Sequence, residues 1–114
     1  MSRTGSRISR TPQACAPIFA ALGDKTRLML VRKLASGVPC SISELTQGLR
    51  LSRQAVRKHL RVLENAGVVR GVWRGRENRF AFDPEPIEEV REYLDFVSAQ
   101  WDQALSRLKA FVER

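Results

Sequence analysis

A short helix, a tight turn and a helix with a basic face occupy residues 43–66. A basic two-stranded hairpin follows over 68–83, and a heptad stripe runs from Ile87 to Phe111. Together they predict a mainly α fold with a small β-hairpin, a winged helix-turn-helix with a long C-terminal dimerisation helix. The 114 residues suit one domain, 14–114, behind a disordered basic tail, 1–13.

The elements follow in order. A first helix is expected from Ala14 to Leu22, stopped by Gly23. Asp24 is a good N-cap for the second, where Leu28, Val31, Leu34 and Ala35 fall on one face. Ser36-Gly37 ends it, and 38–42 is an extended connector. Ser43 is the candidate cap of a third helix reaching Leu49, with Leu45 and Leu49 pointing inward. Arg50 and Leu51 make the turn. Ser52 caps a fourth helix, 52–66, and Gly67 suits the left-handed position after it. VVRGVWRG and ENRFAFD alternate as strands, with Gly75 and Arg76 at the hairpin tip. Pro84 and Pro86 lead into a last helix, 86–112, roughly 40 Å long at 1.5 Å per residue.

Charge is unevenly placed. The net formal charge is +8. Residues 50–79 carry nine bases against Glu64 and Glu77, whereas residues 83–114 carry four bases against eight acids. In the fourth helix Val56, Leu60 and Leu63 form the inward stripe. Arg53, Arg57 and Arg61 stack at i, i+4, i+8 beside Gln54 and Lys58 with no compensating acid. Stacked like charges repel by a few tenths of a kcal/mol per pair, which is sensible where phosphates or base edges supply the partner. Such a helix fits the major groove of double-stranded DNA, where Arg pairs with guanine and Gln with adenine. Gln54, Arg57 and Lys58 are therefore candidate base readers; Ser52, Arg53 and Arg61 are candidate phosphate contacts. Arg74, Arg76 and Arg79 surround the hairpin tip, which is narrow enough for the minor groove or flanking backbone.

The last helix steps by three and four through Ile87, Val90, Leu94, Val97, Trp101, Ala104, Leu108 and Phe111, broadened by Tyr93, Phe96 and Leu105. One side can cover the first helix. The remainder calls for a partner, most simply a second copy, with Leu94, Val97, Trp101, Leu105 and Leu108 as the expected dimer interface. A homodimer also sets two reading helices about one DNA turn apart.

FAALGDKTRLMLVRKLASG, followed by SISELTQGLRLSRQAVRKHLRVLENAGVVRGVWRGRENRFAF, resembles the ArsR-type (arsenic-repressor-like) winged helix-turn-helix regulators. The resemblance covers residues 17 to about 110. It implies a dimeric transcriptional repressor reading a palindromic operator through helix 52–66 and the wing 68–83. Members of the family often carry Ser or Thr where this chain has Arg57.

Other functions find less in the sequence. No metal motif, Gly-rich phosphate loop or catalytic constellation is present, and one His serves poorly for all roles, so an enzyme is not expected. No cofactor is implied. Many ArsR-type proteins respond to metal. Here SELTQGL lacks a Cys-x-Cys pair and the last helix contains no His, so a metal-independent branch is expected and no effector is evident. His59 reads as a packed or phosphate-facing side chain. The two alternatives are low-specificity nucleic-acid binding through charge, and thiol-redox sensing by Cys15 and Cys40. Two cysteines are too few for a disulfide framework, no run of 18 apolar residues exists, and the N-terminus has no apolar signal segment. A cytoplasmic protein without membrane contact is expected.

Overall fold

A computed structural model describes residues 11–113; residues 1–10 of the expected basic tail lie outside the described residues. The elements are α1 (Pro12–Leu22), α2 (Lys25–Leu34), β1 (Cys40–Ser41), α3 (Ile42–Thr46), α4 (Arg53–Asn65), β2 (Val69–Arg74), β3 (Glu77–Phe82) and α5 (Glu85–Val112). The mainly helical winged helix-turn-helix with its long last helix is thus observed.

Local hydrogen bonds fix where most helices begin. Thr11 caps α1 by accepting from the Ala14 N–H, and Pro12 takes the first turn, where its missing donor costs nothing. The helix therefore starts two residues before the expected Ala14. Asp24 caps α2 through Arg27 N–H at 3.0 Å, and Ser52 caps α4 through Ala55 N–H at 3.1 Å. The cap of α3 is Ser41, not Ser43. Ser41 Oγ accepts from Glu44 N–H while the Glu44 carboxylate accepts from Ser41 N–H, a reciprocal capping box. The helix ends at Thr46, short of Leu49, and Lys33 of α2 donates to the freed carbonyls of Leu45 and Gln47. After α4 the chain reverses at Gly67, whose φ of +80° a side chain would strain.

The core gathers Cys15, Ile18 and Ala21 of α1, Leu30 and Leu34 of α2, Leu45 of α3, Val56, Leu60 and Leu63 of α4, then Val68, Val69, Phe80 and Val90. The α4 stripe is as expected. The α2 face is so in part: Leu34 is fully buried and Val31 packs against the core, but Leu28 is 53% exposed and Ala35 is exposed, while Leu30 is fully buried. Arg27 sets this rotation. Its Nε donates to Ala21 O at 2.6 Å, and Leu30 and Leu34 follow it at helical spacing on the same face. The Arg stem packs inward and carries its charge to a carbonyl.

The sheet has three strands, not two, in the order β1-β3-β2. The connector supplies β1, pairing Cys40 with Phe80 and Ser41 with Arg79. This anchors the wing to the start of α3.

Candidate nucleic-acid interface

The helix-turn-helix is α3, the turn at residues 47–52, and α4. Its exposed side presents Arg53, Gln54, Arg57, Lys58 and Arg61, while the opposite stripe is buried. Ser52 is also exposed, and its Oγ already accepts from Ala55 N–H; its hydroxyl hydrogen remains available to a phosphate. The base of α4 is held to α2. Arg27 Nη1 and His59 Nδ1 lie 3.2 Å apart, and Asp24 Oδ2 lies 3.8 Å from the same imidazole nitrogen. His59 is thus turned toward α2, a packing role rather than a phosphate-facing one. The Asp24 carboxyl is held below its ordinary range, first by the Arg27 backbone N–H, then by the Arg27 and His59 side chains.

In the wing, Arg74 and Arg76 are exposed at the tip. Arg79 departs from the sequence expectation. It is turned into the fold, donating to Glu77 Oε1 at 2.9 Å and to Pro39 O at 3.3 Å, and lies 3.6 Å from Glu44 Oε1. The reason is its place on β3, opposite Ser41 of β1 and beside the α3 capping box. Glu77, by hydrogen bond and charge, and then Glu44 raise its affinity for the proton, and the contacts to Pro39 and Glu44 make it a brace between wing and α3.

Two cleft residues escaped the sequence reading. Asn78 and Phe80 face Arg57, Leu60, Arg61 and Glu64 across a narrow gap between wing and α4. The hairpin register held the signal. A two-residue tip at Gly75-Arg76 pairs Arg74 with Glu77 and Trp73 with Asn78.

Along α5 the inner half joins the core through Ile87, Val90 and Tyr93, with Tyr93 edge-on to Phe19 of α1 at a centroid distance of 6.1 Å. The outer half is bare: Leu94, Trp101, Leu105 and Leu108 are 48–64% exposed, and Val97 is half-buried.

A helix-turn-helix domain family model matches residues 22–72. An ArsR-like transcriptional regulator from Rhodococcus sp. RHA1 is 36% identical and superposes with a TM-score of 0.73, covering 85% of this chain and 91% of that one. This chain belongs to the ArsR-like transcriptional regulators. A regulator from Bacillus subtilis, YuzN, is 37% identical over 64% of this chain and 86% of its own length. The regulator Rv2034 of Mycobacterium tuberculosis is 37% identical over 77% and 78%. Relatives and fold are those of DNA-binding transcriptional regulators, not of enzymes.

Among the described residues of this regulator, no group of three or more His, Cys, Asp or Glu could hold a metal, and no helix is long and apolar enough to cross a membrane. Cys15 and Cys40 are not joined in a disulfide. Burial, then Glu89, raises the Cys15 thiol; burial, then Glu44, raises Cys40 despite Arg79 and Lys33. They share no neighbour among these causes, and raised thiols are poor in the reactive thiolate.

Proposed function

We propose that the regulator is a homodimeric, sequence-specific repressor acting in the cytoplasm on a palindromic operator. In this reading α4 lies in the major groove and the wing tip on the flanking minor groove or backbone. The observation that carries it is the division of α4. Its apolar stripe is buried, and its other side offers Arg53, Gln54, Arg57, Lys58 and Arg61, all exposed. Gln54, Arg57 and Lys58 read base edges; Ser52, Arg53 and Arg61 hold phosphates; Arg74 and Arg76 follow at the wing. Arg79 supports the wing from behind. The dimer forms along the outer half of α5 through Leu94, Val97, Trp101, Leu105 and Leu108, which places two copies of α4 on successive turns of the duplex.

The test is binding of the purified protein to its own upstream duplex and to a scrambled one across a salt series. The expected result is tight binding to the first and an affinity at least ~1000-fold weaker for the second. Equal affinities that fall steeply with salt would assign the binding to charge alone. We also read the regulator as metal-independent. A change of operator affinity above about tenfold on adding zinc or arsenite, well within the range of allosteric coupling, would overturn that.

A further inference from the structure

The wing and α4 enclose a cleft of about 170 Å³, walled by Arg57, Leu60, Arg61 and Glu64 on the helix and by Asn78 and Phe80 on β3. Strand register extends the wing wall outward. Gly71 pairs with Phe80 and Trp73 with Asn78. Paired residues share a sheet face, and every second residue returns to it. Trp73 therefore stands on the same face as Phe80 and Asn78, directly opposite Asn78 and one step nearer the tip than Phe80. It is 68% exposed, although an indole ordinarily buries its body and finds a partner for its N–H.

Wing and helix approach closely at the inner end. A Cβ on Gly71 would stand 3.3 Å from Asn78 Oδ1 and 3.6 Å from Glu64 Oε2. The acid thus lies by Gly71. Arg61 and Arg57 precede it by three and seven residues, roughly 4.5 and 10 Å along the helix. Away from Glu64 the helix wall is accordingly cationic, and the wing carries Trp73 one step beyond Phe80. Asn78 Oδ1 is buried without a hydrogen-bond partner among the described residues. A guanidinium from the facing wall is a fitting donor, and seated there it keeps further N–H groups directed outward.

We propose that this cleft seats one sugar–phosphate strand of the bound duplex, with Trp73 as a DNA-contacting residue. Arg61 supplies charge from the helix wall. From the wing wall the Trp73 indole N–H donates to a phosphate oxygen and its ring lies against the deoxyribose. The inference rests on the DNA reading above and adds a contact that carries no charge.

That neutrality defines the test. Trp73→Ala, Trp73→Phe and Arg61→Ala are made in the full chain and titrated with the upstream duplex across a salt series. Trp73→Ala is expected to weaken binding about 3–10-fold, the range of one hydrogen bond and its packing, with the salt slope unchanged. Trp73→Phe should recover part of the loss and abolish most of the tryptophan emission change that DNA produces in the wild type. Arg61→Ala should lower the slope by about 0.9, as one phosphate contact does. Wild-type affinity in Trp73→Ala would overturn the proposal. So would a slope that falls with it, because that means the wing has shifted and taken its arginines along. In a Trp101→Phe background, where Trp73 is the remaining tryptophan, an emission change that follows protein concentration instead of DNA would give the face to a second copy. Wild-type protein that binds no duplex at all would remove the DNA reading itself, a different failure from wild-type binding that ignores Trp73.

Discussion

Both α4 and the outer half of α5 leave much of their surface in water, but they expose opposite chemistry. On α4 the exposed residues include Arg53, Gln54, Arg57, Lys58 and Arg61, and the stripe Val56, Leu60 and Leu63 is fully buried. On outer α5 the apolar residues themselves are exposed, Trp101 at 64% and Leu108 at 58%. A charged exposed face is stable in water and becomes useful when a polyanion arrives. A contiguous apolar face has no such resting place, and its burial is worth about 25 cal/mol per Å². The contrast teaches how to assign partners. The residues that repel one another point to DNA, and the residues that avoid water point to protein. It also separates two kinds of disruption, one that changes recognition and one that changes assembly.

The largest effect is expected from Trp101→Arg, which sets a charge in the apolar stripe of α5. Sedimentation should show monomers, and operator affinity should fall by about 100-fold or more as two linked half-sites become independent. An unchanged sedimentation profile would place the two-fold contact elsewhere. Next is Arg57→Ala, expected to cost about 1–3 kcal/mol on the operator if it reads a base, with a smaller loss on scrambled DNA and no change in assembly. Equal losses on both duplexes would move Arg57 to the phosphate contacts. Ser52→Ala sharpens the comparison within α4 itself. Removing the cap should lower folding stability by about 1 kcal/mol, read as a shifted denaturant midpoint. Any operator loss persisting where the variant is fully folded then measures the second role of the hydroxyl.

The smallest effect concerns the joint that holds α4 to α2. Since the native state keeps the Asp24 carboxyl below its ordinary range, the folded chain favours the ionised form. Its contribution to stability is present above the unfolded carboxylate range and is lost as pH falls through the lowered value. Asp24→Asn retains an acceptor for the Arg27 N–H but cannot titrate. The acid side of its stability-against-pH curve should therefore be flatter than that of the wild type. Parallel curves would show that Asp24 contributes nothing to acid unfolding.

The sequence by itself determined the features written in three or four neighbouring residues. The caps Asp24 and Ser52, the stop at Gly67, the stripe Val56, Leu60 and Leu63, and the crowded arginines of α4 were all legible, because helix spacing brings such residues together without help from the rest of the chain. The Ser41-Glu44 capping box was equally local, and reading Ser43 as the cap overlooked the Glu three residues after Ser41. Tertiary structure decided what depends on distant partners. In α2 the run Leu28-Met29-Leu30-Val31 is apolar on several sides, so periodicity alone allows more than one inward face. The reach of Arg27 to Ala21 and His59 selected Leu30. The turning-in of Arg79 required Pro39, forty residues earlier, and the third strand required Cys40 to meet Phe80. The cleft beside Trp73 exists only because the wing folds back on α4. Local hydrogen bonds specify where a helix starts, but the direction a side chain finally faces is settled by whichever remote surface offers it a partner.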